Sequence, residues 1–249
     1  MKVPFNIDFS LKRSIRAIAT AVCAVVLTSG AAFAQEAAGE SSSESKLMIG
    51  FKSGINLSDI RTSGATEYFS SEKGQKEFAP QIHVFGRYSF TKWISADLEL
   101  GWTQNAFTLY DNGRTNTFRA NNFQANALLN VRIPVLSVYE PRLYIGPSYN
   151  YNAYTYQRIT GPSTMVSGQK TDVTYDVTNA FVPHDFGVIV GAGLQFDVKF
   201  ATLLVDARYR HGITKAINAT NGYSTNTLSG VEKGHLSDVA FMIGLGFAL

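Results

Sequence analysis

From Leu47 to Leu249 the chain alternates between apolar and polar residues with a period of two, and one phase of the alternation carries no charge. A period of two belongs to β-strands, whose successive side chains point to opposite faces. Residues 184–214, HDFGVIVGAGLQFDVKFATLLVDARYRHGIT, illustrate it. One phase holds Phe186, Val188, Val190, Ala192, Leu194 and Phe196, then Leu203, Val205, Ala207 and Tyr209. The other holds Asp185, Gly187, Ile189, Gly191, Gly193, Gln195 and Asp197, then Asp206, Arg208 and Arg210.

Six further segments repeat the pattern: 47–58, 81–90, 93–102, 123–133, 142–152 and 237–249, which makes eight strands in all. Charge falls only on the second phase, as Lys52, Arg87, Arg132, Arg208 and Arg210 and as Asp97, Glu99, Asp185, Asp197, Asp206 and Asp238. A charge on a lipid-facing strand position costs about 2–4 kcal/mol at mid-membrane, so a face kept this clean is what a bilayer demands. The connections alternate too. Turns are short at Thr91-Lys92 and near Lys199, and longer from Pro134 to Pro141. Four others are long: roughly 59–79, 104–120, 155–181 and 214–236. Short turns on one side and long loops on the other mark an outer-membrane barrel, with both termini on the periplasmic side. Aromatic residues gather at the strand ends. Tyr88, Phe90, Trp93, Phe196, Phe200 and Phe247 fall near the short turns, and Trp102, Phe123, Tyr149, Tyr151, Phe186 and Tyr209 near the long connections, as interface girdles do.

The expectation is an all-β protein, an eight-stranded antiparallel up-and-down transmembrane β-barrel, monomeric and in contact with outer-membrane lipid. A soluble β-sandwich or ligand-binding barrel also alternates, but points its apolar face inward. It would leave Gly187, Gly191 and Gly193 facing solvent, where glycine weakens a strand without return. In a small barrel these glycines make room for Asp206, Arg208 and Arg210 on the next strand.

The N-terminus has the form of a secretory signal. Lys2, Lys12, Arg13 and Arg16 precede an apolar stretch from Ala17 to Thr28, and Ala32-Phe33-Ala34 fits a small-x-small cleavage site. Residues 1–34 are thus expected to be removed, 35–46 to be a flexible periplasmic linker, and 47–249 to be the barrel. The chain carries 22 basic and 19 acidic residues. Four of the basic ones and Asp8 lie in the signal, so the mature chain is neutral and offers no case for nucleic-acid binding. The one cysteine, Cys23, also lies in the signal, so the barrel must be stable without disulfides.

Eight strands enclose a space that side chains can fill. Lys52, Arg87, Asp97, Glu99, Arg132, Asp197, Asp206 and Arg208 are expected to form a structural network in that lumen, with Arg87 meeting Asp97 or Glu99 across their hairpin. Buried ions need such partners. A narrow conducting path is the alternative. His83 belongs to the same interior set. His184, His211 and His235 lie where strands meet long connections, and with Asp185 they have the residue types of a metal site or of a hydrolase base and its orienter. No HExxH, CxxC or GxSxG motif accompanies them. No catalytic, cofactor-binding or metal-binding residue is therefore assigned, no cofactor is expected, and an enzyme is not expected. A membrane-embedded hydrolase with a histidine-containing rim is the other alternative. The connections are polar and free of repeats, with Asn112-Gly113 suited to a tight turn and Thr160-Gly161-Pro162 to a bend. They suit an extracellular ligand or an envelope protein partner, whose identity composition does not specify.

Four stretches carry a family resemblance: GFKSGINLSD (50–59), LYIGPS (143–148), HDFGVIVGAGLQF (184–196) and LLVDARYRHGIT (203–214). They resemble the signature stretches of the PorT-like outer-membrane β-barrel proteins of Bacteroidetes, over residues 47 to 249. The resemblance implies an eight-stranded outer-membrane barrel and brings no catalytic residues with it. The best-known member is linked to protein secretion and gliding, which implies an accessory role in envelope or secretion machinery. The end of the chain departs from the pattern: Phe247 is followed by Ala248-Leu249, where such barrels often finish on the aromatic.

Overall fold

A computed structural model describes residues 46–63, 75–111, 114–133, 140–162, 170–198, 200–216 and 233–249. The expected signal, the expected linker up to residue 45, the tip at Asn112-Gly113, the turn residue Lys199 and the middle parts of the other expected connections (64–74, 134–139, 163–169 and 217–232) lie outside the described residues. Ten strands follow one another: β1 (Leu47–Ser63), β2 (Gln75–Lys76), β3 (Phe78–Ser89), β4 (Ile94–Asp111), β5 (Arg114–Arg132), β6 (Glu140–Pro162), β7 (Lys170–Asp176), β8 (His184–Val198), β9 (Ala201–Gly212) and β10 (Lys233–Ala248). A single turn of 3-10 helix, Thr178–Ala180, lies between β7 and β8.

Eight of the strands close a ring. In spatial order they run β1, β3, β4, β5, β6, β8, β9, β10 and back to β1, every pair antiparallel. The register fixes the stagger. From Gln195 the pairing leads to Leu204, Gly244, Lys52, His83, Gly101, Gln124 and Asn150, and returns to β8 at Asp185, ten residues away from its start. Closure with such a shift tilts the strands by roughly 35–45° and leaves an interior that side chains can fill.

The apolar phase faces out. Ile49, Phe51, Ile82, Val84, Leu98, Leu129, Leu143, Val190, Phe241 and Ile243 are exposed, while Lys52, His83, Arg87, Asp97, Glu99 and Arg208 are buried. This inverts a soluble barrel and is the arrangement lipid requires. Among the described residues no helix is long and apolar enough to cross a membrane; strands do the crossing. The turn between β3 and β4 is held by Thr91, whose Oγ1 accepts from the backbone N–H of Trp93 (3.1 Å) and of Ile94 (3.0 Å). That local bond offers the chain a tight reversal. Phe90, Trp93 and Phe200 are exposed at this end, and Phe123, Tyr151, Phe186 and Tyr209 toward the other.

Two expected long connections are mostly strand. A membrane strand needs about 9–11 residues, yet β4 has 18, β5 has 19 and β6 has 23. Their surplus rises beyond the bilayer as a sheet, joined by β7 on β6 and by β2 on β4. The spans 104–120 and 155–181 are therefore not loops. Above the membrane neither face of these strands has to be kept uniformly apolar, so the alternation that marks the lipid-level strands is lost. A register shift adds to this. Asn121 pairs with Tyr154 but Asn122 pairs with Asn152, so Ala153 is an inserted residue that reverses the phase of β6. The bend expected at Thr160-Gly161-Pro162 falls in the last residues of β6, where Gly161 has φ 148°.

Candidate functional site

The barrel interior concentrates the charged chemistry. Among the described residues, five basic side chains (Lys52, Arg87, Arg142, Arg208, Arg210) and five acidic ones (Asp97, Glu99, Asp185, Asp206, Asp238) are buried. All point into the lumen because they share the phase opposite the lipid-facing residues.

The central tier is one connected cluster. Arg87 grips Asp97 with two bonds, Nε to Oδ1 at 2.7 Å and Nη2 to Oδ2 at 2.8 Å. The two residues are register partners on β3 and β4. Glu99, two positions along the same face, accepts from Lys52 Nζ at 2.5 Å and from Arg208 Nη1 at 2.7 Å. Lys52 also lies 3.3 Å from Asp206 and 3.8 Å from Asp97. Arg142 donates to Asp206 and lies 3.5 Å from Asp97. Neutral groups finish the tier: Asn126 Nδ2 donates to Glu99 (3.1 Å), and Arg208 Nη2 lies 3.1 Å from Gln81 Oε1 and 3.2 Å from His83 Nε2.

Two links cross the whole lumen. β4 and β9 stand four places apart in the ring of eight, as do β3 and β8. Glu99–Arg208 therefore spans one diameter, and Arg87 Nη1 to Gln195 Oε1, 2.8 Å, spans another. Glycine makes the room. A Cβ on Gly191 would meet the Tyr144 ring at 2.3 Å, and one on Gly193 would meet Asp206 Oδ1 at 2.1 Å. Gly191 pairs with Arg208 and Gly193 with Asp206.

Toward the outer end one further ion pair precedes a neutral layer. Arg210 donates to Asp185 (2.5 Å) and Ser148 (3.1 Å), and Thr214 Oγ1 donates to Asp185 (2.8 Å). Above them run carboxamides and hydroxyls: Asn122 donates to Asn105 (2.7 Å), Asn105 to Ser58 (2.8 Å), and Ser58 to Asn56 (3.0 Å). An apolar cap follows. Phe107 and Phe118 stack with centroids 4.9 Å apart, and Phe181 lies 6.5 Å from Phe118. The segment carrying Phe181 is pinned by main-chain bonds, Val177 N–H to Thr155 O (3.0 Å), Asn152 N–H to Pro183 O (2.8 Å) and Val182 N–H to Ala216 O (2.9 Å).

Six of the eight residues expected in the lumen network, Lys52, Arg87, Asp97, Glu99, Asp206 and Arg208, meet in the central tier. Arg132 and Asp197 sit apart, at the short-turn mouth. Arg132 donates to Ser89 Oγ and Thr91 O, both at 3.2 Å, and lies 3.8 Å from Glu140. Asp197 accepts from Thr202 (2.7 Å) and Gln195 (3.3 Å). Both are on the inward phase, but at strand ends, where the barrel opens to water. Arg142 was legible by extending the phase of Tyr144 and Gly146 back two residues. The apolar members of the interior, Phe85, Leu128, Ile189 and Leu204, carry no charge to announce them.

The rim histidines do not converge. His184 Nδ1 bonds Tyr149 OH at 2.7 Å, and its ring lies 5.6 Å from that of Tyr151. His211 Nδ1 lies 3.3 Å from Tyr209 OH. Both face outward with the aromatic girdle, whereas Asp185 turns inward to Arg210, so it does not orient His184. Among the described residues no three His, Cys, Asp or Glu side chains are grouped to hold a metal.

A closed antiparallel ring, an apolar exterior and an ion-filled interior describe an outer-membrane barrel. The family model for the outer membrane protein beta-barrel domain matches residues 33–218. The chain belongs to this family. It is accordingly a protein of the outer membrane. Three solved barrels are similar in structure. OprG of Pseudomonas aeruginosa shares 14% identity, with 82% of this chain and 96% of that chain covered and a TM-score of 0.47. Neisserial surface protein A shares 12%, covering 82% and 98% with a TM-score of 0.46. Ail of Yersinia pestis, solved in complex with the heparin analogue sucrose octasulfate, shares 13%, covering 81% and 99% with a TM-score of 0.38. No curated protein matches the chain in sequence.

Proposed function

We propose that this outer-membrane barrel is a closed, monomeric scaffold with a structural or interaction role, not an enzyme or a pore. Its working surface is the sheet and connections above the membrane. The observation that carries this reading is the pair of hydrogen-bonded links across the lumen, Glu99–Arg208 and Arg87–Gln195. Among the described residues, ten buried ionic side chains of balanced sign occupy the space that a conducting path would need. In this reading Lys52, Arg87, Asp97, Glu99, Asp206 and Arg208 form a structural plug, with Arg132 and Asp197 finishing it at the periplasmic mouth.

Within the outer-membrane barrels we place the chain with the PorT-like proteins, on the four stretches at 50–59, 143–148, 184–196 and 203–214. That placement makes it an accessory to envelope or secretion machinery, meeting a protein partner or an extracellular ligand through the outer elements. The scaffold reading is tested by planar-bilayer recording of the purified mature protein. No stable, ion-selective steps are expected, and reproducible steps would overturn it. The accessory role is tested by cross-linking in intact cells followed by identification of the captured proteins. A defined envelope partner is expected, and recovery of bulk porins alone would refute it.

A further inference from the structure

Between the ionic tier and the apolar cap lies a small cavity of about 20 Å³. Its polar wall includes Asn105, Asn122, Asn150 and Asp185, and Phe107 and Phe181 contribute to its apolar wall. Most of these polar groups are already engaged. Asn122 donates to Asn105, and Asp185 accepts from Arg210 and Thr214. Asn150 is different. It is 2% exposed, and neither its Oδ1 nor its Nδ2 meets a protein partner. Its register partners do not satisfy it either: Gln124 donates to Ser148, and Asp185 is turned to Arg210.

A carboxamide has two N–H donors and a carbonyl acceptor, and burying it without partners is costly. Apolar cavities stay dry, but a polar cavity with room for one water molecule is filled when two or more polar groups reach it. This chamber has that volume and that wall. We infer that it is a hydration site, in which a water molecule held beneath Phe181 hydrogen-bonds to Asn150 and bridges it to a second polar wall residue. The occupant is water rather than an ion or an organic ligand. The chamber has room for little else, and the one carboxylate in its wall is already bound to an arginine and a threonine. The inference does not depend on whether the barrel acts as a scaffold.

The test is solution NMR of the folded barrel in detergent micelles, labelled with 15N-asparagine. The Asn150 side-chain amide is identified by its absence from the spectrum of Asn150→Leu, or of Asn150→Ser if the leucine variant does not fold. Heat-modifiable gel mobility confirms folding in each case. Cross-peaks from that amide to water, with the sign given by a long-lived bound molecule, are expected. Absence of any such cross-peak in the folded wild-type barrel would overturn the inference. Phe181→Ala opens the cap, and the cross-peak should then weaken at least several-fold as the water exchanges with bulk. An unchanged cross-peak would show that the water is not held beneath Phe181.

Discussion

Two arginine–aspartate pairs in this molecule share one geometry and differ in almost everything else. Arg87 and Asp97 meet through two bonds of 2.7 and 2.8 Å, with side chains 1% and 0% exposed. Arg158 and Asp172 meet through two bonds of 2.8 Å on the outer sheet, with side chains 56% and 57% exposed. The first pair is tied into a cluster with Lys52, Arg142 and Glu99 and lies inside a membrane-spanning ring. The second joins β6 to β7 where water surrounds both. Hydrogen-bond geometry therefore says little about what an ion pair contributes. What decides is the state of the group left behind when its partner is removed. In the lumen that group stays buried and charged; on the outer sheet it is hydrated at once.

The comparison is strained most by removing one member of the inner pair. Asp97→Ala leaves Arg87 without its bidentate acceptor and takes a neighbouring charge from Arg142 and Lys52. Breaking a buried pair from one side costs about 3–5 kcal/mol. Urea unfolding of the folded protein in detergent should show a loss of that order. Combining Arg87→Met with Asp97→Leu should recover much of it, because no orphaned charge remains at the pair. A double variant as unstable as the single one would mean that the pair itself, and not the avoidance of an unpaired ion, holds the tier.

The next largest effect separates the two faces of one strand. Leu98 lies between Asp97 and Glu99 but points to lipid. Leu98→Arg should cost about 2–4 kcal/mol at mid-membrane, read from urea unfolding of the protein in lipid bilayers. A neutral outcome would place Leu98 away from the acyl chains and reverse the orientation of the barrel. Gly191→Val is third. Its Cβ would press on the Tyr144 ring at 2.3 Å. Overpacking of this kind costs about 1–3 kcal/mol, with heat-modifiable mobility retained.

These sites also mark what the sequence made legible. That Arg87 meets Asp97 or Glu99 was readable because the turn at Phe90–Trp93 is tight, and a tight turn limits the register of its hairpin; the choice of Asp97 came from the structure. Leu98 was readable because lipid tolerates no charge on its face. The Glu99–Arg208 link was not readable. Those residues are 109 apart in sequence, and only the stagger of the closed ring brings β4 opposite β9 at that level. Arg142 was within reach, since the phase of Tyr144 and Gly146 carries back to it, but its bond to Asp206 on β9 depends on the same stagger. The outer sheet was hidden for a different reason. Beyond the membrane Tyr154, Tyr156 and Arg158 lie on one face and Thr155 and Gln157 on the other, and neither face is apolar throughout. The insertion at Ala153 broke what alternation was left.

The smallest effect is expected at the exposed pair, and it is the one that separates geometry from energy. The hydrogen bond from Arg158 holds the Asp172 carboxyl below its usual range. A lowered folded-state value means that the pair's contribution is present above the unfolded-state value of about 3.9 and is lost as pH falls through the folded one. Carboxyl-carbon NMR should find the Asp172 midpoint below that ordinary value, and Arg158→Ala should return it there. The unfolding midpoint in urea at neutral pH should nevertheless stay within the scatter of the measurement, since solvent takes over both charges. If Arg158→Ala lowered stability as much as Asp97→Ala, burial would not be what distinguishes the two pairs. The outer sheet would then depend on its ion pairs as the lumen does.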